Sequence, residues 1–297
     1  MAPSDAERVL NALHGAVVRA LRRQDSIAIA VSGGLDSSIL AALIADHADV
    51  TVQLVNVSVA GSVDAQRARR LADHLQASLL EVVINGRYLE RILPELVPLV
   101  GTSRVDLERA AEWGVAPETR YVSPIRTAWE VPVFVATREA RRFAKRLVVG
   151  QGADEWFGGY ARYANLTGEA LVAALARDRD ILDQEILPIE ARIARHHSIQ
   201  VHYPYLDVGV RGVARHLAPD LLVKGSERKI VLREVAARLG LPIEIVTVPK
   251  TAAQYGSGVS TLLAELAAKE GLHQNEFLTR MLLTGEAATR TLYARSA

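Results

Sequence analysis

A seven-residue string, SGGLDSS at residues 32–38, carries the side chains best suited to chemistry in this 297-residue sequence. It lies between an apolar run at residues 26–31 and a helical pattern at residues 37–48. Amides at a helix start, together with the positive end of the helix dipole, favour a bound phosphate. Asp36 is informative because a carboxylate beside a phosphate is repulsive unless a divalent cation separates them. The string therefore predicts a phosphate-binding loop formed by Ser32, Gly33, Gly34, Asp36, Ser37 and Ser38.

A simpler interpretation of the same string is a tight strand-to-helix turn capped by serine, for which glycine and serine are common. Two glycines alone would favour that interpretation. The whole string between a strand and a helix favours the phosphate loop instead. It has neither the Gly-Lys-Ser/Thr ending of a Walker loop nor the GxGxxG pattern of a dinucleotide loop.

A second glycine-rich string, GQGADEWFGGY, occupies residues 150–160 and follows an apolar run at residues 147–149. A turn with a helix cap explains its glycines but not the adjacent acids Asp154 and Glu155. Ligands of open α/β folds bind beyond the carboxyl ends of the strands. We therefore expect this string to lie at the same end of the sheet as the first.

Alternating apolar runs and helical patterns predict the elements that hold these strings. The apolar runs are residues 26–31, 51–57, 79–84 and 147–149, and the helical patterns are residues 5–23, 37–48, 64–77 and 131–146. Continuously apolar strands separated by helices indicate a parallel sheet covered on both faces.

Beyond residue 160 helical patterns dominate. We predict two regions, an α/β region at residues 1–160 and a mostly helical C-terminal region at residues 161–297 that completes the active site. Between residues 85 and 117, Pro94 and Pro98 interrupt a helical pattern, which predicts helices and loop.

Both strings resemble those of the ATP-pyrophosphatase superfamily, and within it the synthetase domain of asparagine synthetases and β-lactam synthetases. The first is similar to the family's pyrophosphate loop, and the second to its string GEGADELFGGY. Two further stretches follow in the same order. PETRYVSPIR at residues 117–126 resembles IETYDVTTIR, and ERKIVLRE at residues 227–234 resembles EKxxLR. The resemblance extends over most of the chain.

The resemblance implies a Rossmann-like parallel sheet flanked by helices, of the adenine nucleotide α-hydrolase type. It also implies that ATP and Mg²⁺ are used to adenylate a small-molecule carboxylate, which then passes to ammonia or an amine with release of AMP and pyrophosphate. Lys229 matches the lysine that stabilises charge on the phosphates, and Glu118 matches a glutamate that accepts a proton from the amine. Asp154 is expected at the phosphates and, with Asp36, as a metal ligand, while Gly152 is expected to contact ATP.

The sequence departs from the family on the substrate side. Tyr121 stands where the family often has an aspartate that can share the metal, and Gln200 and His202 stand where it has glutamate and arginine. The sequence contains no cysteine, so the family's cysteine-dependent release of ammonia from glutamine is excluded for it. We expect free ammonia, ammonia from a separate partner, or another amine.

The overall charge disfavours nucleic acid, because 35 basic residues face 34 acidic ones. No signal peptide or membrane span is evident, which predicts a cytoplasmic protein with no membrane partner. Two alternatives stay open at this point. One is an RNA-base-modifying adenylating enzyme of the lysidine type, and the other is a non-catalytic nucleotide-binding subunit. The sequence does not identify the acid or the amine. It does not determine the oligomeric state either, and a homo-oligomer stays open.

Overall fold

The computed structural model describes residues 3–47, 49–101, 122–247 and 256–283. Within these ranges, one parallel sheet has the order β3-β2-β1-β4-β5. Its strands are β1 Ser26–Ala30, β2 Thr51–Val59, β3 Ser78–Ile84, β4 Arg146–Val148 and β5 Gln200–His202. The chain leaves β1 toward β2 on one side and returns beside it as β4, so the strand order reverses between β1 and β4. A crevice for ligands forms at the carboxyl ends of the strands at such a reversal.

Helices cover the sheet, as predicted for an α/β fold. They are α1 Asp5–Leu21, α2 Leu35–Ala45, α3 Val63–Leu75, α4 Gly86–Val100, α5 Pro124–Ala140, α6 Ala153–Phe157, α7 Gly168–Ile181, α8 Leu187–His196, α9 Val208–Ala214, α10 Ile230–Arg238, α11 Ile243–Val246 and α12 Val259–Lys269. A short hairpin, β6 Val223–Lys224 and β7 Glu227–Arg228, precedes α10. In the described part of the chain, no helix has both the length and the apolar character to cross a membrane.

Two apolar clusters lie on the two faces of the sheet, and β1 shows why. Ile27 and Ile29 belong to the cluster that includes α1, α2 and α10, whereas Ala28 between them belongs to the cluster of α4, α5 and α12. Successive side chains of a strand point to opposite faces, so the apolar stretch at residues 27–30 fits a sheet buried on both sides. Both clusters draw on residues before and after 160, and β5 also comes from the later part. The boundary at residue 160 stays a prediction.

Helix α4 differs from the expectation that its prolines interrupt it. The helix continues through Pro94 and Pro98, although neither residue has an N–H to donate within the helix. Pro98 is exposed and Pro94 half-buried, while the apolar side chains of α4 are buried on the other face. Burial of that face stabilises the helix, and water can replace the lost bonds on the outer side. Local propensity is overridden by packing here.

A buried histidine at the end of α8 links this helix to α5. His197 is 3% exposed, and its Nδ1 lies 2.8 Å from Thr137 Oγ1. Burial lowers the pKa of His197 from 6.5 to about 4, and the charges of His196 and Arg138 add to the effect. The folded protein therefore holds this ring neutral over a pH range in which an unfolded chain would protonate it.

We expect His197→Gln to remove a part of the acid sensitivity of folding. Between pH 6.5 and pH 4 the unfolded state binds the proton and the folded state does not, so stability present above pH 6.5 is lost as the pH falls. The two pKa values correspond to a difference of about 3 kcal/mol. Urea denaturation at pH 7 and pH 4 should show the wild-type-minus-variant difference in unfolding free energy changing by roughly that amount.

The exposed histidine His74 in α3 provides the matched control. Substitutions on the surface usually change stability by about 0.5 kcal/mol or less, so for His74→Gln we expect unfolding free energies close to wild type at both pH values. For His197→Gln, a difference from wild type that is the same at both pH values would contradict the protonation argument.

Candidate active site

The first glycine-rich string forms the junction between β1 and α2. Helix α2 begins at Leu35, two residues earlier than the pattern predicted, so Asp36 and Ser37 lie in its first turn. Gly34 caps the helix without a side-chain hydrogen bond. The first amides of a helix need partners from outside it, and an anion is a suitable one.

Glycine at position 33 is required for two reasons. Gly33 has φ 68°, in the left-handed region, and a β-carbon there would collide with the main chain of α3 at Arg67 and Ala68. The loop is held internally as well. The amide of Ser32 donates to Ser37 Oγ at 3.3 Å, and the amide of Gly34 donates to Ser32 Oγ at 3.2 Å. The string therefore packs tightly against α3 on one side and opens on the other.

The second string forms the junction between β4 and α6, beside the first. A β-carbon on Gly150 would lie 3.3 Å from Asp36 Cβ, so the two loops are in close proximity. Gly152 has φ 94° and caps α6, and Asp154 lies in the first turn of that helix. Both loops thus extend from carboxyl ends of neighbouring strands, as their positions in the sequence predicted.

Lys229 joins the two loops. Its main chain is left-handed, with φ 56° and ψ 37°, and it follows the β6–β7 hairpin at the start of α10. The residue is 3% exposed. Its Nζ lies 2.5 Å from Asp36 Oδ2 and 2.6 Å from Asp154 Oδ1. A buried ammonium between two carboxylates compensates the charge of both.

Three residues that were not predicted as site residues hold this arrangement. The hydroxyl of Tyr205, which is fully buried, donates to the main-chain oxygen of Asp36 at 3.0 Å. Arg228 Nη1 donates to the main-chain oxygen of Gly159 at 2.8 Å. Gly159 lies so close to the ion pairs that a β-carbon there would overlap Asp154 Oδ1 and Lys229 Cε. Gly158 and Gly159 of the second string could be recognised in the sequence, but the side chains that pack against them could not.

A cavity extends from these loops, and most of the predicted residues border it. Ser32, Gly34, Asp36, Ser37, Gly152, Asp154 and Lys229 all contribute to its lining. Gly33 and Ser38 are not among the lining residues. Gly33 packs on α3, and Ser38 is fully buried, with a hydroxyl that has no hydrogen-bond partner among the described residues.

The cavity continues to both sides of the first loop. On the side of β2 it is bordered by Asn56, Asp64 and Arg67, and on the side of β4 by Gln151, Glu155 and Glu190. Because β2 and β4 flank β1 in the sheet, these two sets lie on opposite sides of the loop. Apolar side chains of α5 cover the cavity, namely Pro132, Val133 and Ala136. Asn56, Arg67 and Glu190 were not predicted from the sequence as site residues.

The structure places the two substituted positions of β5 away from the cavity lining. Arg146 Nη2 donates to Gln200 Oε1 at 3.1 Å. His202 is half-buried, and burial together with the charge of Arg146 lowers its pKa. Neither side chain borders the cavity, so the structure does not favour a direct substrate contact there. Glu118 and Tyr121 lie outside the described residues, and the role of Glu118 stays a prediction.

The predicted metal ligands form a pair, not a cluster. Within the described ranges, no group of three or more His, Cys, Asp or Glu side chains could hold a metal ion. Asp36 and Asp154 nevertheless bring oxygens to a common point, now occupied by Lys229 Nζ. Mg²⁺ in nucleotide sites is usually held by one or two carboxylates together with the phosphates. The two aspartates fit that donor set.

The sequence of this chain is similar to those of known proteins. The family model described as asparagine synthase matches residues 8–188 and 171–295. A putative glutamine-hydrolysing asparagine synthetase from Methanocaldococcus jannaschii is 29% identical over 90% of this chain and 53% of its own length. The carboxyethyl-arginine β-lactam synthase of Streptomyces clavuligerus is 28% identical over 89% of this chain and 47% of its own. The chain thus spans about half the length of these curated relatives.

Among solved structures, an NMN synthetase from Francisella tularensis matches with a TM-score of 0.42 and 12% identity, over 94% of this chain and 91% of that one. A U34-tRNA thiolase from Methanococcus maripaludis matches with a TM-score of 0.42 and 13% identity, over 94% of this chain and 79% of that one.

Proposed function

Because this chain belongs to the asparagine synthase family, we propose that it is an ATP-dependent amide-forming synthetase. It activates a small-molecule carboxylate as an acyl adenylate and transfers the acyl group to ammonia or an amine. The observation that supports the proposal most directly is the meeting of Lys229 with Asp36 and Asp154, between two loops that suit a phosphate.

In the first step an oxygen of the carboxylate attacks the α-phosphorus of ATP, the bond to the bridging oxygen breaks, and pyrophosphate leaves. The amides at the start of α2 and the hydroxyls of Ser32 and Ser37 bind and orient the phosphates. Lys229 supplies positive charge where negative charge develops on the α-phosphate and the leaving pyrophosphate. Asp36 and Asp154 would hold Mg²⁺, which neutralises phosphate charge when it is bound with the nucleotide.

In the second step the amine nitrogen attacks the acyl carbon, the bond to AMP breaks, and the nitrogen loses a proton. Glu118 is proposed to accept that proton. We propose free ammonia, an amine, or ammonia from a separate partner as the nitrogen donor. A cytoplasmic location, where ATP is available, is part of the same proposal.

Exchange of labelled pyrophosphate into ATP tests the first step. With Mg²⁺ and the correct carboxylate, we expect exchange that depends on the acid, because adenylation is reversible until the amine arrives. Full turnover with ammonia or an amine should yield AMP, measured by chromatography of the nucleotides. ADP as the product would exclude adenylation, and exchange that is indifferent to every acid tested would argue against a carboxylate substrate.

A further inference from the structure

Helix α8 places one buried carboxylate on the wall of the cavity. Glu190 is 2% exposed and borders the same cavity as Lys229. Its Oε2 has no hydrogen-bond partner among the described residues, and the neighbouring hydroxyl of Tyr203 acts to lower its pKa. A buried carboxylate oxygen left without a hydrogen bond costs free energy, so native proteins rarely keep one without a purpose. Glu190 is therefore placed to receive a donor from outside the chain.

The charged groups that face Glu190 from the neighbouring elements are mostly negative. Glu155 of α6 borders the cavity, and Glu130 of α5 is buried next to it. Burial raises the pKa of Glu190 to about 7, the charge of Glu155 raises it further, and the hydrogen bond from Tyr203 opposes the rise. Burial also raises the pKa of Glu130, and the charge of Glu190 contributes.

The nearby arginines are occupied elsewhere. Arg126 Nη2 pairs with Glu185 at 2.7 Å, and Arg192 Nε donates to the main-chain oxygen of Leu99 at 2.7 Å. The charges of both arginines lower the pKa of Glu130, but neither is a cause of the pKa shift of Glu190. Among the described residues, the wall of the cavity at Glu190 thus combines an unsatisfied carboxyl oxygen with neighbouring groups that are acidic.

We propose that Glu190 forms a subsite for a primary alkylammonium group of the substrate, bound beside the phosphate loop. An ammonium offers the donors and the positive charge that Glu190 lacks. The apolar side chains of Pro132, Val133 and Ala136 border the same cavity, so an alkyl chain has a surface to pack on. This inference rests on the proposed function. The group belongs either to the nitrogen donor or to an amino acid whose carboxylate is adenylated.

Calorimetric titration of n-butylammonium and n-butanol into the full chain tests the subsite, with Mg²⁺ and α,β-methylene-ATP present. We expect the wild type to bind the ammonium about tenfold or more tightly than the alcohol, since a charge-assisted bond is made only by the ammonium. Glu190→Gln should remove this preference. Glu169→Gln, which removes an exposed carboxylate of α7 that does not border the cavity, should keep it. Equal binding of both probes by the wild type would overturn the proposal, whatever the variants do.

A second readout separates a binding role from a structural one. Because the pKa of Glu190 is about 7, an ammonium that binds at pH 7 should displace a proton from the protein. Titrations in two buffers of different ionisation enthalpy should show proton release by the wild type and none by Glu190→Gln. Release that persists in the variant would contradict the assignment. If Glu190→Gln does not fold, Glu190→Asp retains the charge and should retain the preference with weaker binding.

The source of the ammonium group follows from two further probes. Tighter binding of 4-aminobutanoate than of either n-butylammonium or butanoate indicates an amino acid substrate, whereas equal binding of 4-aminobutanoate and n-butylammonium indicates the nitrogen donor. Since no turnover is measured, this test is independent of pyrophosphate exchange. Normal exchange without ammonium preference would refute the subsite alone, and ADP formation with intact preference would refute the adenylation alone.

Discussion

Replacing Lys229 with alanine is expected to reduce kcat by about a thousandfold or more while leaving the Kd for ATP within about threefold, because its charge acts chiefly on the transition state. The side chain is buried and aimed at the junction of the two loops, where its Nζ contacts Asp36 and Asp154. The amides of α2 and the serine hydroxyls remain to bind the phosphates. Turnover with the correct acid, and binding of α,β-methylene-ATP by calorimetry, measure the two quantities separately.

The same substitution should destabilise the protein without nucleotide. It leaves the carboxylates of Asp36 and Asp154, whose side chains are 15% and 17% exposed, close together without the cation between them. Breaking such a partly buried group costs up to about 3 kcal/mol, so the Tm should fall. Mg²⁺ with nucleotide should restore part of the lost Tm, since a ligand that binds only the folded state stabilises that state.

Lys224→Ala is the matched control for Lys229→Ala. Lys224 is an exposed lysine on the same hairpin, and we expect kcat, Kd and Tm close to wild type. Unchanged kcat in Lys229→Ala would remove Lys229 from the chemistry. Loss of nucleotide binding with an unchanged Tm would show instead that Lys229 acts in binding the nucleotide. If Lys229→Ala does not fold, Lys229→Arg keeps the cation and tests whether its position matters.

Replacing Gly159 with alanine is expected to lower kcat/KM by about a hundredfold, because small displacements of catalytic groups have effects of that size. The added methyl would overlap Asp154 Oδ1 and Lys229 Cε. The main chain is held on both sides, since the amide of Gly159 donates to Asp154 O at 2.9 Å and its carbonyl accepts from Arg228 at 2.8 Å. The methyl therefore moves the ion pairs and not the backbone.

Gly212→Ala provides the comparison for Gly159→Ala. A β-carbon on Gly212 meets nothing within 4 Å, and the residue is exposed within α9. We expect full activity and a gain of about 0.5–1 kcal/mol, since alanine is the better helix residue. Steady-state kinetics and thermal melting of the two variants separate a local displacement from a general effect of the substitution. Activity of Gly159→Ala equal to wild type would refute the close packing.

Much of the fold could be derived from local patterns. The runs at residues 51–57 and 79–84 correspond to β2 and β3, because aliphatic and β-branched residues dominate both and a helical pattern separates them. The predictions of where α2 starts and of whether α4 is continuous were less accurate. Leu35 begins its helix before the predicted residue, and α4 includes Pro94 because tertiary burial outweighs a lost hydrogen bond. Strand β5 has polar residues at two of its three positions, so it leaves no apolar run and is defined by its pairing with β4.

The candidate site divides in the same way. Glycines, serines and acids in two short strings are sufficient to predict a phosphate loop and its neighbour, since a loop between a strand and a helix is a local structure. That Lys229 meets Asp36 across 193 residues could be expected only through a family resemblance, because the contact depends on how the β6–β7 hairpin and α10 pack on the sheet. Glu190 has no local signature at all, and Gly159 is marked only as one of several glycines in the second string. Their importance comes from what the packed structure places beside them, which no spacing in the chain encodes.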